Sequence, residues 1–473
     1  MKQDISGKVP KEPFDRSRRL DRRPAAGTFR RLILLGKAQL QCLAITLDFF
    51  GENSLANHAS ACAYGFLLSA APALMLVSFF LFTAFSLLTG KGEAYDPHAL
   101  AAQISSIPFL EGVLNEAWLV NTLPSFAESG LKLRGMAGVV SIACIFWAGR
   151  VFALSLQRGL KIIFTGTKKR NPLTDNIAVL FVELAVLIAV MLMLLFSQSA
   201  RHIYEIFSDF PGMSIFLSIL SRYNINFLFL FLLALLFYLI CRYFIANGPS
   251  RRSALWGTIC FVFSSAVLSR ILTILLDQTR YNFLYGTLGS LVTLLVKVFF
   301  FFMFFFVCAQ LASVLDSFDA LLFIKLYKAR MKKRLGLLDK LFFSAEGKLQ
   351  KYFRTYPGGT TIFSRKDTGE EVFYLLEGEV EIFMLSEDSG EKPVVLKEGD
   401  FFGEMGHLLS ENRSATTKAR SDASVLVLPP VLFDEMLKYD TAMGRTIMEH
   451  LSGRLKAMND QYSAMINTDK NTL

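Results

Sequence analysis

The chain has 473 residues, of which 53% are hydrophobic and 19% are charged, whereas about 25% is charged in an ordinary soluble domain. This balance excludes a disordered chain and argues against a wholly soluble one, and the mean hydropathy of +0.41 predicts that much of the chain lies in lipid. In a membrane protein, an excess of positive charge such as the +10 found here usually reflects the orientation of the chain in the membrane and not nucleic-acid binding. The six cysteines form no CxxC pair, so we expect neither a disulfide framework nor a zinc site.

Residues 1–58 are predicted to form a basic cytoplasmic tail that ends in an amphipathic helix. Arginines are frequent in the tail, and the first long apolar run comes too late for a secretory signal peptide. Between Phe29 and Phe50, apolar residues are mixed with Arg30, Lys37 and Asp48, which indicates a helix lying in the membrane interface. A buried additional span is the alternative.

Residues 59–316 are predicted to form an α-helical polytopic membrane bundle of about six spans. Each apolar run has about the 20 residues that a transmembrane helix needs. The runs cover 59–88, 135–164, 177–198, 224–244, 254–276 and 288–314. Lysine and arginine are concentrated in the N-terminal tail, in the loops after the second and fourth runs, and after the sixth. The positive-inside rule then predicts an inner-membrane protein with both termini in the cytoplasm.

Charged side chains inside the predicted spans are costly in lipid, so each is a candidate for function. The candidates for a transport path are Arg150, Glu183, Arg270 and Lys297. As a set they indicate a cationic path or pocket for an anionic solute, partly balanced by Glu183. The alternative is a structural ion pair between Glu183 and Arg150, with the remaining side chains reaching the interface.

After the last span the composition changes. A basic helical linker is predicted for residues 317–337, followed over 338–473 by a cytoplasmic β-roll with flanking helices. Strands are expected at 360–363, 372–376, 380–385, 394–396, 415–419 and 424–428. Glycine-containing turns separate most of these strands, and two helices are expected at 431–439 and 442–465.

The segment from Phe401 to Thr416 concentrates polar chemistry. Gly403 beside Glu404 predicts a short helical turn whose backbone N–H groups can face an anion. Arg413 offers a planar fork suited to a phosphate, and Glu404 can accept hydrogen bonds from a hydroxyl. The segment therefore suits a ligand with one phosphate and one free sugar hydroxyl.

From about Leu338 to Met458 the sequence resembles the cyclic nucleotide-binding domain family. The matching motifs are Gly359–Ile362, Phe373–Ile382, Leu396–Asp400, Phe402–Glu404 and Arg413–Thr416. The resemblance implies a phosphate-binding cassette, whose residues here are Gly403, Glu404, Met405, Arg413, Ser414 and Ala415.

In that family the glutamate of the cassette binds the ribose 2′-hydroxyl, and the arginine binds the cyclic phosphate. The resemblance assigns these roles to Glu404 and Arg413, with Ser414 also meeting the phosphate. It favours cAMP over cGMP as the ligand, and it implies that the last helix covers the base. Candidate residues on that helix are Arg445, Met448, Arg454 and Leu455. A domain that keeps the fold and binds no nucleotide is the alternative.

The membrane region, from about Leu32 to Ser317, resembles the YihY/BrkB family, historically labelled ribonuclease BN. The matching motifs are Ala63–Pro72, Tyr281–Ser290 and Cys308–Leu311. This family tends to have a glutamate where the chain has Gln310. Because the activity of the family is poorly defined, the resemblance implies a fold more than a function.

Sequence motifs of catalysis are absent: there is no HExxH, no GxSxG and no P-loop, and we expect no catalytic residue, no cofactor and no metal site. We therefore expect a transporter or channel regulated by a cyclic nucleotide. A membrane-anchored sensor or scaffold without transport is the alternative, and an RNA-processing enzyme is disfavoured. The expected partners are the lipid bilayer, cAMP or cGMP, an anionic solute and a second copy of the chain, but no nucleic acid.

Overall fold

The computed structural model describes residues 24–69, 136–164, 229–244, 248–275, 287–331, 348–383 and 393–453, with isolated residues at 120, 174, 177, 180, 181, 184, 185, 188 and 456. The chain divides into two compact units. The first comprises residues 45–318, and the second combines 319–473 with 1–44.

Long helices dominate residues 24–316. They are α1 (Pro24–Glu52), α2 (55–69), α3 (Met136–Ile163), α4 (Phe229–Phe244), α5 (Arg251–Leu275) and α6 (Thr287–Asp316). The predicted interfacial helix lies within α1, and four of the six predicted spans coincide with α3 to α6 within a few residues. The third predicted span and most of the first lie largely outside the described residues, so six spans remains a prediction. Among the described helices, two are long and apolar enough to cross a membrane, at Arg251–Leu275 and Val292–Asp316.

Helices α5 and α6 pack side by side in opposite directions. The Asp316 carboxylate at the end of α6 accepts hydrogen bonds from the Ser250 backbone N–H at 2.9 Å and from the Ser253 hydroxyl at 3.2 Å. Further along, a Cβ on Gly257 would lie only 2.7 Å from the Cβ of Ala312, so a glycine is needed for this close approach. The start of α5 therefore lies beside the end of α6.

Phenylalanines fill the core between α4, α5 and α6. Phe237 stacks on Phe261 with ring centroids 4.5 Å apart, and Phe305 meets both rings edge-on at 5.0 and 5.5 Å. All three side chains are buried. Such edge-to-face and stacked pairs add to the packing that holds helices together in lipid, where the hydrophobic effect does not. The last turn of α4, Ile240–Phe244, is a π-helix.

The second unit contains two four-stranded antiparallel sheets. The strands are β1 (Phe353–Tyr356), β2 (Thr361–Phe363), β3 (Val372–Glu377), β4 (Val380–Phe383), β5 (Val394–Leu396), β6 (Phe401–Phe402), β7 (Thr416–Ala419) and β8 (Ala423–Leu428). One sheet has the order β1-β8-β3-β6, and the other β2-β7-β4-β5. The helices of the second unit are α7 (Phe318–Met331), α8 (Glu404–Leu409), α9 (Pro430–Tyr439) and α10 (441–453). The first residue of α7, Phe318, falls in the first unit. A short 3₁₀ turn lies at Lys348–Tyr352.

All six predicted strands are present, and the predicted β-roll is confirmed. Two strands were not predicted: β1, which pairs with β8, and β6, which pairs with β3. Strand β6 is only two residues long and precedes a turn, so no alternating pattern marks it. The predicted linker forms α7, which ends at Met331, and residues 332–347 lie outside the described part of the chain.

Alternation along β3 separates the interior of the roll from its outer face. Phe373 and Leu375 point between the sheets and join the core with Phe402. Tyr374 points the other way and meets Phe323 of α7, with ring centroids 5.3 Å apart. Helix α7 therefore packs on the outer face of the sheet whose inner face supports the candidate site.

Candidate functional site

Arg413 is buried at the centre of the candidate site, with 4% of the residue exposed. Its Nη1 donates to the Gly403 carbonyl at 2.7 Å, and its Nη2 donates to the carbonyl of Glu371 at 2.9 Å and to the carboxylate of Glu371 at 3.3 Å. Three of the five guanidinium N–H donors are thereby used by the protein. Two donors remain for a ligand.

Aromatic rings hold the plane of this guanidinium. The Arg413 carbon Cζ lies 4.5 Å from the ring centroid of Phe363 and 5.5 Å from that of Phe373, as in cation–π contacts. Burial lowers the pKa of Arg413, and the nearby carboxylates of Glu371, Asp367 and Glu404 act in the opposite direction. The side chain is thus a preoriented cation in a poorly solvated position, which strengthens its attraction for an anion.

Gly403 is required by the local geometry. Its φ of 76° lies in the left-handed region that favours glycine, and a Cβ there would lie 2.8 Å from Nη1 of Arg413. Helix α8 begins at the next residue, so the glycine lets the chain turn sharply between β6 and the helix. A larger residue would displace the guanidinium.

The remaining cassette residues lie around this turn. Glu404 is buried, with 2% exposed, and its charge acts on Arg413. Met405 is half-buried, and Ala415 is buried in the core of the roll. Ser414 is exposed directly after the arginine. The structure thus brings together the residues that the sequence predicted for one ligand.

Sequence reasoning missed Glu371, Phe363 and Phe373. Glu371 precedes β3 and is 42 residues from Arg413, so no local motif joins the two. The backbone bonds from Arg413 N–H to Asp367 O and from Lys366 N–H to Arg413 O bring the two segments together. The sequence placed Phe373 in a predicted strand and in a family motif, but it did not mark the ring as a platform for a cation.

Of the four residues predicted to cover the base, two lie on the described part of α10, and the cover itself stays a prediction. Arg445 pairs with Glu449 on its own helix, and its side chain is 83% exposed. Met448 is 69% exposed. Arg454 and Leu455 lie outside the described residues. The cassette helix α8 contacts α9 through His407 Nε2 and Asp434 Oδ1, which are 2.8 Å apart.

Helix α7 is attached to the β-roll and to the helix after it by polar contacts at two points. Lys328 Nζ lies 3.0 Å from Oδ2 of Asp440, and Arg330 Nη1 lies 3.0 Å from Oε1 of Glu398. Asp440 is 6% exposed, and its Oδ1 also accepts from the backbone N–H groups of Ala442 and Met443 at the start of α10. One carboxylate therefore joins α7 to the helix that follows the β-roll.

The four predicted transport-path residues do not form one cluster in the described part of the structure. Lys297 is buried on α6, with 3% exposed, and it lines a cavity. Arg150 and Arg270 are exposed on α3 and α5. Glu183 lies outside the described residues, so the predicted Glu183–Arg150 pair stays untested. Within the described ranges, no group of three or more His, Cys, Asp or Glu side chains has the arrangement of a metal site.

Comparison with known families gives two matches, one for the membrane region and one for the region that contains the β-roll. A family model described as "Virulence factor BrkB" matches residues 46–321. A second model, described as "Cyclic nucleotide-binding domain", matches residues 353–440 and includes the whole cassette.

Individual proteins match over shorter lengths. A cyclic nucleotide-gated potassium channel of Rhizobium etli is 32% identical over 94 residues, which cover 20% of this chain and 25% of the channel. A cAMP-dependent protein kinase regulatory subunit of Pyricularia oryzae is 35% identical over 112 residues, which cover 23% of this chain and 28% of the subunit. The chain spans about a quarter of the length of the curated relatives it matches. The crystal structure of the Thermus thermophilus catabolite activator protein matches with 25% identity and a TM-score of 0.22, over 24% of this chain and 55% of that one.

Proposed function

The chain belongs to the BrkB family and carries a cyclic nucleotide-binding domain after its membrane region, and from this premise we propose that it is a membrane transporter or channel regulated by cAMP. The membrane domain performs transport, and the C-terminal domain senses the nucleotide. We place the protein in the inner membrane with both termini in the cytoplasm, where cAMP is available to the domain. We include a homo-oligomer among the arrangements that purified protein should be tested for.

The observation that carries the nucleotide proposal is the buried pair of Arg413 and Glu404 around Gly403. A guanidinium with two remaining donors suits a singly charged cyclic phosphate. A buried carboxylate in the first turn of α8 suits the ribose hydroxyl as a hydrogen-bond donor. A domain that had lost binding would have no reason to keep a buried arginine stacked on two aromatic rings, because burying a charge is costly.

The preference for cAMP rests on resemblance. One relative is named as a cAMP-dependent regulatory subunit, and another as a cyclic nucleotide-gated channel. Ser414 meets a phosphate, which both nucleotides carry, so it does not discriminate between bases.

Helix α7 supplies a route for the signal. It follows α6 with only Ser317 between the two helices, so its movement acts on the last membrane helix through the backbone. It is attached to the nucleotide module by Asp440 and by the aromatic contacts of Tyr327 with Tyr374 and Phe401. We propose that the protein has two conformations, which differ in the positions of α8 and α10. A nucleotide that binds one conformation more tightly shifts the equilibrium between them by the difference in binding free energy, typically a few kcal/mol.

Calorimetric titration of the purified full chain with cAMP and then cGMP tests the proposal. We expect saturable binding of cAMP with higher affinity than cGMP. Absence of heat with both nucleotides, in a sample whose fold is intact by circular dichroism, would reduce the C-terminal domain to a structural module. If binding is present but no solute flux occurs in liposomes with or without cAMP, the protein is a membrane-anchored sensor.

A further inference from the structure

Two cysteine side chains lie against each other where α5 crosses α6. The thiols of Cys260 on α5 and Cys308 on α6 are hydrogen-bonded to each other. Both are free, and Cys308 is buried whereas Cys260 is half-buried. The two residues are far apart along the chain, so no motif such as CxxC marks them in the sequence. Neither residue belongs to the unit that contains the nucleotide module, so the pair has chemistry that nucleotide binding does not use.

The crossing of the two helices is tight at this point. One turn before Cys260, a Cβ on Gly257 would lie 3.2 Å from the carbonyl oxygen of Cys308. One turn after Cys260, the Ser264 hydroxyl lies 3.6 Å from the Cys308 sulfur. Cys260 thus lies between two positions of α5 that both approach Cys308. A disulfide needs Cβ atoms roughly 3.5–4.5 Å apart, and a close crossing of this kind suits that spacing.

The Ser264 hydroxyl orients the buried thiol. It donates its hydrogen to the Phe261 carbonyl at 3.0 Å, so its oxygen faces Cys308 as an acceptor for the S–H group. Cys241 of α4 also lies near Cys308. In the described contacts, however, Cys308 is hydrogen-bonded to Cys260 and Ser264 and not to Cys241. These contacts favour Cys260 as the partner of Cys308 in a covalent bond.

The route to Cys260 from outside the helix pair is apolar. Exposed side chains follow one face of α5 at Trp256, Ile259, Phe263 and Val267. Their spacing of three or four positions keeps them on the same side of the helix, and Ile259 is adjacent to Cys260. A molecule that reaches the thiol along this face has to dissolve in hydrocarbon, which excludes charged and strongly hydrated oxidants. Quinones meet this condition and accept two electrons together with two protons.

We propose that Cys260 and Cys308 are a site of reversible oxidation, at which a membrane-soluble quinone converts the two thiols into a disulfide between α5 and α6. Both S–H bonds break and one S–S bond forms. The two electrons and two protons pass to the quinone, which becomes a hydroquinone. A dithiol such as dithiothreitol returns both cysteines to the reduced state by thiol–disulfide exchange.

Counting thiols in the purified full chain tests this proposal without any nucleotide. The protein in lipid nanodiscs is treated with tetramethyl-p-benzoquinone, whose ring has no free position for thiol addition, and is then denatured and labelled with a maleimide. The chain has six cysteines, so we expect six labels before oxidation, two fewer after it, and six again after dithiothreitol. Tryptic peptides that contain Cys260 and Cys308 should stay linked until dithiothreitol is added. Ferricyanide, which is charged, should oxidise the pair at least tenfold more slowly than the quinone.

The matched variants are Cys308→Ala and Cys62→Ala. Each removes one buried thiol from a helix of the membrane domain, but Cys62 lies on α2 and has no described interaction with the pair. We expect Cys308→Ala to keep all its remaining thiols in the presence of the quinone, and Cys62→Ala to lose two, as the unmodified chain does. Cys260→Ala, at a half-buried position, should behave like Cys308→Ala and serves if that variant does not fold.

Three results would each overturn the inference. One is a thiol count in the unmodified chain that the quinone does not change. Another is the loss of two thiols from Cys308→Ala, and the third is a linked peptide that joins Cys308 to Cys241 in place of Cys260. Equal rates with ferricyanide and the quinone would reject the apolar route and with it the quinone as oxidant.

Discussion

At the scale of single residues, cAMP binding should require the planar guanidinium of Arg413 and not only its positive charge. Arg413→Lys keeps a cation but loses the planar donors that hold Gly403 and Glu371, so we expect cAMP affinity to fall about tenfold or more. Arg420→Lys is the matched control, because Arg420 is 53% exposed and contacts Glu379 and Glu381 on the surface of the same domain. Calorimetry of both variants checks the prediction. Equal affinities in the two variants would contradict it.

Glu371 should compete with the ligand. Its carboxylate lies 3.3 Å from Nη2 of Arg413 and is 52% exposed, whereas its backbone carbonyl holds the same nitrogen at 2.9 Å. Glu371→Gln removes the negative charge but leaves the carbonyl contact, so we expect cAMP to bind severalfold more tightly. The same titration measures the effect, with Glu379→Gln as the control on the exposed face. Weaker binding in Glu371→Gln would mean that the carboxylate orients the arginine instead.

The buried phenol of Tyr374 should make the stability of the domain depend on pH in the alkaline range. Burial raises the pKa of Tyr374 to about 12, so the folded domain favours the neutral phenol. The unfolded value is about 10, and the stabilisation is therefore complete below pH 10 and is lost between about pH 10 and 12, at roughly 1.4 kcal/mol per pH unit. We expect the Tyr374→Phe variant to lose stability less steeply in this range. Urea unfolding at pH 9 and 11, followed by circular dichroism, checks the difference between the two chains.

The sequence was sufficient to predict those site residues that lie close to one another along the chain. Gly403, Glu404 and Arg413 fall within eleven positions, so their spacing is visible without a structure. Glu371 and Phe363 come to the same guanidinium by sheet pairing across 42 and more positions, which no local pattern encodes. The two rings that hold the arginine were therefore found only in the folded domain.

At the scale of elements, Asp440 should transmit the nucleotide signal from α10 to α7. Asp440→Asn keeps an oxygen that caps α10 through Ala442 and Met443, but it removes the charge that attracts Lys328. We expect cAMP binding to change little, and the cAMP-dependent change in hydrogen exchange of residues 318–331 to decrease strongly.

The control for Asp440→Asn is Glu449→Gln. It makes the same kind of change on α10, where Glu449 pairs only with the exposed Arg445 in the described contacts. An exposed pair of this kind contributes little, so hydrogen exchange in α7 should respond to cAMP as in the unmodified chain. An identical response in Asp440→Asn and Glu449→Gln would remove Asp440 from the route.

Prediction of elements depended on how strongly each one repeats a pattern. Apolar runs of about 20 residues located α3, α5 and α6 to within a few residues, since burial in lipid demands an apolar side chain at nearly every position. Strand β1 follows a basic segment directly and has its two middle residues exposed, so the sequence gives no sign that it pairs with β8. Strand β6 was hidden inside the cassette motif because two residues are too few to show an alternating pattern.

At the scale of the whole molecule, the family matches give a BrkB region followed by a cyclic nucleotide-binding domain, which is the fusion that the sequence predicted. What composition does not encode is the coupling between them. In the function that we propose, that coupling depends on contacts of single side chains, such as Lys328 with Asp440, and on the one residue between α6 and α7. The central claim is therefore that a ligand bound at Arg413 changes the behaviour of the membrane domain.

Flux from proteoliposomes tests that claim most directly. The full chain is reconstituted in vesicles loaded with small inorganic anions, and anion release is recorded before and after cAMP is added to the side that exposes the C-terminal domain. The account predicts that cAMP changes the release rate, that Arg413→Lys requires much more cAMP for the same change, and that Arg420→Lys behaves like the unmodified chain. A release rate that is the same with and without cAMP, in vesicles whose protein binds cAMP, would contradict it.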